Sequence, residues 1–476
     1  MLFSSMTFIY IFFPILLITY LISKDEWRNV VLLIASLIFY SWGNLNYLTA
    51  LIITIIINYF GAIIIEQTKN DDSSKINKQK VAFGVTIFAN LGVLFYFKYF
   101  NFFIDSINYI FYTSYNFLSI ILPIGISFYV LQSMSYIIDV YRKECRAQKS
   151  IIKLALYISL FPQLIAGPII KYHDIEEQLD KRTSSIDNIS YGVKRFIIGL
   201  AKKMLVANTM GVIVDKIFVL NPTDFSHGIA WLGAISYAFQ LYFDFAGYSD
   251  MAIGLGAIFG FKFMENFNYP YISKSVSELW RRWHISLGSW FKQYVYIPLG
   301  GSRISNKQTY INLAVIFILV GLWHGASWLL VIWGCYQGFF IIMERILQIK
   351  KFDEKKHPIY IDIIRHLYLI IVVACGTVIF RSETIKYAWD YIRNMLGILQ
   401  TIPENYLYEL PYFVGKHEIL IFIFAILCST PIFKNILNVK TNFAKILVNI
   451  ILLFLFSISV LTIAAESYNP FIYFKF

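Results

Sequence analysis

The stretch "LVGLWHGASWLLVIWG", residues 319–334, contains a single ionisable side chain, the imidazole of His324. Burying such a ring without a partner costs roughly a few kcal/mol. A chain that accepts one between Trp323 and Trp328, in sequence fit for hydrocarbon, must either hold it or use it. Apolar residues continue on both sides, over 307–321 and 326–344, each near the ~20 residues that span a bilayer. A turn is therefore expected at the histidine.

The remainder of the chain agrees with this reading. Its 476 residues are 58% hydrophobic, 18% aromatic and only 15% charged, whereas soluble domains carry about a quarter of their residues as charges. Further apolar stretches lie near 2–22, 29–46, 48–66, 81–97, 116–138, 228–246, 360–380, 417–433 and 443–464. The fold class expected is an all-α polytopic membrane protein with about eleven transmembrane helices. Forty-three Phe and 34 Tyr suit lipid-facing surfaces and interfacial belts. Residues 2–22 lack a basic leader, so a retained first helix is expected rather than a cleaved signal.

The formal charge of +12 sits in short segments between apolar runs, as in cytoplasmic loops facing anionic lipid, and argues against nucleic acid. Lys24, Arg28 and "KNDDSSKINKQK" (69–80) place the first and third loops inside, "YRKECRAQK" (141–149) and "QIKKFDEKKH" (348–357) likewise, and Lys434, Lys440 and Lys445 the last. Both termini are then expected outside. Cys145, Cys335, Cys375 and Cys428 are too scattered for a disulfide framework or a clustered metal site.

Three segments do not read as ordinary spans. "SLFPQLIAGPII" (159–170) is broken by Pro162, Gly167 and Pro168 and is expected to be re-entrant. "ILPIGISFYVLQSMSYIIDVYR" (121–142) reads as a kinked helix ending in an Asp139–Arg142 ion pair. Residues 191–204, "YGVKRFIIGLAKKM", read as an interfacial amphipathic helix.

Candidate chemistry gathers between 242 and 328. In "YFDFAGYSDMAIG" (242–254), Asp244 and Asp250 either fix a helix break lining a cavity or cap an interfacial helix. In "SVSELWRRWHISLGSWFKQYVYIPLGGSR" (275–303), Trp280 and His284 stand at i and i+4, on one face if helical. Arg281 and Arg282, beside Trp280 and Trp283, suit either the phosphates of a donor or lipid headgroups. His324 is either a satisfied structural histidine or a general base, since an imidazole with its ordinary pKa of about 6.5 is largely neutral at physiological pH. Two histidines forty residues apart have no compact third ligand for zinc; axial haem ligation needs none but leaves the arginine–tryptophan block without a role.

The blocks "ELWRRWHISLGSWFKQYVYIPLGGSR" and "GLWHGASW", together with "LPIGISFYVLQSMSYIIDVYR", "FPQLIAGPI", "FAGYSDMAIGLG", "FNYPY" and the terminal "NPFIYFKF", closely resemble the membrane-bound O-acyltransferase family over nearly the whole chain. The likeness is greatest to its bacterial alginate and peptidoglycan O-acetyltransferase branch, and more distant to the teichoic acid D-alanyl transfer membrane protein. It implies one membrane domain over 1–476, with peripheral helices at 1–114 and 346–476 and a catalytic core at 115–345 around a central tunnel. It also implies His324 as the central catalytic residue and His284 as the second motif histidine, with Trp280, Arg281, Arg282 and Trp283 near the donor.

By the same resemblance the donor is cytoplasmic acetyl-CoA, used as a substrate with no tightly bound cofactor or metal, and the acceptor is an extracytoplasmic polysaccharide. Peptidoglycan is the first expectation; alginate, another exopolysaccharide and D-alanyl transfer are the alternatives. Relatives work with a separate extracytoplasmic serine (SGNH-type) acyltransferase, and this chain has no "GxSxG" elbow of its own. Direct transfer and a transient acyl-histidine both remain open. The competing class is a multispan transporter or flippase with Asp244 and Asp250 on a polar path, which would move substrate without consuming thioester.

Overall fold

A computed structural model describes residues 1–68, 77–115, 119–349, 357–399, 409–434, 436, 441–465, 469 and 472. Among these residues all regular structure is helical. The chain divides into two compact units, Met1–Phe196 with Ser249–Met264, and Ile197–Tyr248 with Glu265–Phe476.

The first unit contains α1 (Phe13–Ile22), α2 (Asp25–Ser41), α3 (Tyr47–Gln67), α4 (Lys78–Leu94), α5 (Phe100–Phe111), α6 (Ile126–Arg142), α7 (Ile151–Ser159), α8 (Phe161–Leu164) and α9 (Tyr172–Asp180). Rings of Phe3, Phe8, Phe39 and Phe161 cluster at its centre, a group of side chains buried nearly completely. Two buried amides inside it pair with each other, the cheapest arrangement for such groups in hydrocarbon. Asn58 on α3 and Asn90 on α4 exchange amide hydrogen bonds at 2.8 and 3.1 Å. The 159–170 stretch breaks as its prolines and glycine demand: α7 ends at Ser159, and after it only the four-residue α8 is helical before α9 begins.

Two long elements cross the division between units. α10 (Ile186–Ala201) runs through a π-turn into α11 (Asn208–Phe218), giving a continuous helix over 186–218 in place of the short interfacial helix expected at 191–204. α12 (His227–Ile258) is unbroken at Asp244 and Asp250. Neither carboxylate makes a helix break or a cap. Asp250 bonds Arg195 at 2.6 Å within the first unit, and Asp244 bonds Lys203 at 2.7 Å within the second, where it also accepts the Ile472 N–H at 2.9 Å. Gly247, one turn from Asp244, lets the backbone of α12 approach that of Gly199 and Lys203 where any β-carbon would collide. The tail of α6 differs too: Asp139 Oδ2 is 2.9 Å from His173 Nδ1, and Arg142 Nη1 is 3.9 Å from Glu144.

The second unit continues with α13 (Val276–Arg282), α14 (Ile285–Phe291), α15 (Asn306–His324), α16 (Trp328–Ile346), α17 (Ile359–Arg381), α18 (Ile385–Met395), α19 (Leu410–Phe413), α20 (Lys416–Cys428) and α21 (Asn442–Ala465). Six described helical stretches are long and apolar enough to cross a membrane: 47–67, 78–111, 186–218, 328–346, 359–381 and 442–465. The chain is a multi-pass all-α membrane protein, and six of the about eleven spans expected are matched by described helices of that length and apolarity. Other expected spans correspond to shorter helices: α1 with its preceding π-turn runs over Phe8–Ile22, α20 has thirteen residues, and 116–138 turns helical at Ile126. The loop charges at 69–76, 350–356 and Lys440, and most of "NPFIYFKF", lie outside the described residues.

Candidate active site

The expected turn at the histidine is present. α15 ends at His324 and α16 begins at Trp328, so the two helices form a hairpin. Gly321 and Gly334 face each other across it, and a methyl on either would drive into a carbonyl oxygen of the opposite helix, Leu330 or Phe317. The small residue beside the motif makes room for a helix. His324 is thereby pressed against α16.

Its ring is 3% exposed and lies edge-to-face with Trp323, Trp333 and Phe380, at centroid distances of 4.9, 5.0 and 5.3 Å. Trp328 is not part of this cage. Trp328 stands four residues after His324, a spacing that would put both on one face of a continuous helix, but the helix stops at His324; Trp328 is 58% exposed, and Trp333, from the next helix, takes its place.

The Trp280–His284 relation fails for the same reason. α13 ends at Arg282, and His284 has the left-handed conformation with φ 45°. That conformation is held by Asn266, which is fully buried: its carbonyl accepts the Ile285 N–H at 2.9 Å, and its Oδ1 accepts the Ser286 N–H and hydroxyl at 3.2 and 2.9 Å. His284 then caps α14 with its own ring, Nδ1 accepting the Leu287 N–H at 3.3 Å. An imidazole that accepts at Nδ1 carries its proton at Nε2. His284 lies in none of the six apolar spans, and burial pushes its pKa down to about 3, so the ring is neutral at physiological pH. Trp323 touches both imidazoles, with its centroid 5.5 Å from that of His284.

A cavity of about 50 Å³ opens at His324, walled by Trp280, Trp283, Trp333, Gln337, Gly376, Thr377 and Phe380 among others. Trp280 and Trp283 are therefore on its wall, while His284 lies behind them against Phe245 and Trp323. The arginines are not on it: Arg282 is committed to Glu278 at 2.9 Å and the Asn268 carbonyl at 3.1 Å, and Arg281 is exposed. Gln337 was missed in the sequence, although a lone amide inside an apolar span is a warning sign. Its Oε1 accepts the Trp280 indole N–H at 3.2 Å. Gly376 faces its Nε2, leaving a slot that a β-carbon would narrow. Such a site, apolar and small with one imidazole exposed to it, suits a short acyl group held away from water.

Residues 143–381 match the family model described as "MBOAT, membrane-bound O-acyltransferase family". The chain belongs to the membrane-bound O-acyltransferase family. Along its whole length it is 39% identical to a probable alginate O-acetylase of Pseudomonas putida, all of which is covered. It is 43% identical to a probable alginate O-acetylase of Pseudomonas aeruginosa over 83% of this chain and 75% of that one. It is 32% identical to a peptidoglycan O-acetyltransferase of Helicobacter pylori over all of this chain and 98% of the relative. A membrane-bound O-acyltransferase is an enzyme of acyl transfer, so the transporter reading falls away.

Proposed function

We propose that this membrane-bound O-acyltransferase moves an acetyl group from cytoplasmic acetyl-CoA toward an extracytoplasmic polysaccharide of the alginate or related exopolysaccharide kind, in the bacterial cytoplasmic membrane. The full-length similarity to alginate O-acetylases carries the acceptor class: 39% identity against 32% for the full-length peptidoglycan relative. This reverses the order expected from the motifs, which are shared by both branches and cannot rank them. Peptidoglycan stays the second reading, supported by that relative's coverage of the whole chain.

In the proposed chemistry, His324 takes the proton of an acceptor hydroxyl as its oxygen attacks the thioester carbonyl. The C–S bond breaks, and the CoA thiolate leaves with the proton carried on His324. His284 cannot serve as base through Nδ1, which is spent on the Leu287 N–H, so from behind the wall its part is to position Trp323, which it shares with His324. The small cavity selects a short acyl group and excludes water that would hydrolyse it. Trp280 and Trp283 flank the thioester end of the donor; Arg281, being exposed, meets its phosphates, whereas Arg282 braces its own helix. An extracytoplasmic serine-type (SGNH) acetyltransferase completes esterification.

The experiment is reconstitution of the purified enzyme in vesicles with radiolabelled acetyl-CoA, offering alginate-type oligosaccharide, peptidoglycan fragments or a D-alanyl carrier in turn with a partner transferase. Free CoA appearing with acetylated oligosaccharide supports the proposal. Transfer only to peptidoglycan, or only of D-alanine, replaces it.

A further inference from the structure

Glu344 takes no part in the chemistry above, yet its carboxylate is 3% exposed near the end of an apolar helix. A carboxylate in such a place needs strong partners. Both of its oxygens are given to one helix end. Oε1 accepts the Val276 N–H at 2.6 Å and Oε2 the Ser277 N–H at 2.8 Å, while the Tyr368 hydroxyl donates to Oε1 at 3.2 Å. Ser275 Oγ accepts the next N–H, of Glu278, at 3.1 Å.

α13 has seven residues, too few to persist on their own, and its first N–H groups have no acceptor within the helix. Its position is set by what grips its ends. Glu344 grips the amino end, the Asn268 N–H holds the Arg282 carbonyl at the carboxyl end at 2.9 Å, and the Asn266 frame holds the chain just beyond it, at Ile285 and Ser286. Between them Trp280 is bonded to Gln337 and packs on Trp333, 5.9 Å between centroids. Trp333, Gln337 and Glu344 all belong to α16, and Trp333 also bears on His324. One helix face thus carries the element leading to one imidazole and the wall of the other.

We propose that Glu344 is a positioning residue for acyl transfer: by tying the amino end of α13 to α16, it sets where Trp280 and His284 stand relative to His324. This rests on the two-imidazole reading of the site. A carboxylate that only stabilised the fold would change the amount of folded enzyme and leave its turnover alone.

The test uses the full-length enzyme in lipid nanodiscs, with 5-fluorotryptophan in place of tryptophan and the Trp280 resonance assigned by W280F. In Glu344→Gln one acceptor oxygen becomes an NH2 that opposes a backbone N–H. The expected result is a ten- to hundredfold fall in kcat per folded enzyme with KM for acetyl-CoA within twofold, and a shifted or split Trp280 19F line while the exposed Trp328 line stays put. Should Glu344→Gln not fold, Val276→Pro removes the N–H that Oε1 accepts at a helix position where proline is favoured, and the same pattern is expected at smaller amplitude. Unchanged kcat and an unchanged Trp280 line in either folded variant overturn the proposal. Because the 19F line needs no turnover, a shifted line in an enzyme that His324→Ala leaves fully active would discard the catalytic reading alone.

Discussion

His284 Nδ1 accepts the backbone N–H of Leu287 while the residue itself holds a left-handed backbone. One side chain thus caps α14 and tolerates φ 45°. Asparagine can do both: its Oδ1 replaces Nδ1, and it is among the residues that enter the left-handed region most readily. His284→Asn is expected to fold with an unfolding temperature within a few degrees of the parent yet lose tenfold or more in kcat, because the ring that packs on Trp323 beside His324 is gone. His284→Val, which can neither cap nor relax at that φ, is expected to lose stability as well. Thermal unfolding in detergent alongside CoA release separates the two effects.

The lowered pKa of His284 has a sign. Its folded value of about 3 lies below the ordinary 6.5, so between these limits the unfolded chain binds the proton that the folded one refuses. Stability from this group is complete above about pH 6.5 and drains away as the pH falls toward 3. Unfolding temperatures measured from pH 7 down to 4 are expected to drop less steeply for His284→Asn than for the parent. Parallel curves would remove the buried neutral imidazole from the picture.

At the α15–α16 crossing, Gly334→Ala or Gly321→Ala must push the helices apart, because the colliding atoms are backbone carbonyl oxygens that cannot swing aside. His324 and Trp333 sit on opposite sides of that crossing, one turn or less from it. Overpacking of this kind costs about 1–3 kcal/mol, and acyl transfer is expected to fall by tenfold or more even in the folded fraction. Equal losses for alanine at Gly43, where a β-carbon meets nothing within 4 Å, would show the effect to be unspecific.

Much of this was legible in the sequence. The density of apolar residues gave the helical membrane class, the glycine and proline content of 159–170 gave its break, and the glycine-flanked histidine gave the turn between α15 and α16. What failed was periodicity carried across helix ends. Trp280 with His284, and His324 with Trp328, each have the right spacing for one face, but in both pairs the helix stops between the partners. The true neighbours, Trp333, Gln337 and Phe380, come from α16 and α17, and no local spacing reports a contact made by the packing of separate helices. Asp244 and Asp250 were conspicuous because carboxylates in apolar sequence are costly, but the partners that satisfy them, Lys203 and Arg195, lie some forty and fifty-five residues away.

The Lys203–Asp244 pair is almost wholly buried, with 4% and 2% of the side chains exposed. Removing one member leaves the other charge without its counterpart, a loss of about 3–5 kcal/mol, whereas replacing both by apolar residues of similar size is often neutral. Asp244→Ala is expected to unfold at markedly lower temperature, and Lys203→Met with Asp244→Leu to recover most of that loss while keeping acyl transfer. Loss of transfer in a well-folded double variant would instead put this pair back on the functional path that its sequence suggested.

The most direct measurement is the rate of CoA release from radiolabelled acetyl-CoA by purified, reconstituted parent enzyme and by His324→Ala, each shown to be folded and supplied with polysaccharide acceptor and partner transferase. The caged imidazole as general base predicts that CoA release and acetyl incorporation rise together in the parent and that both fall by at least about 10²–10⁴ in the variant. Near-parental transfer by folded His324→Ala would contradict it.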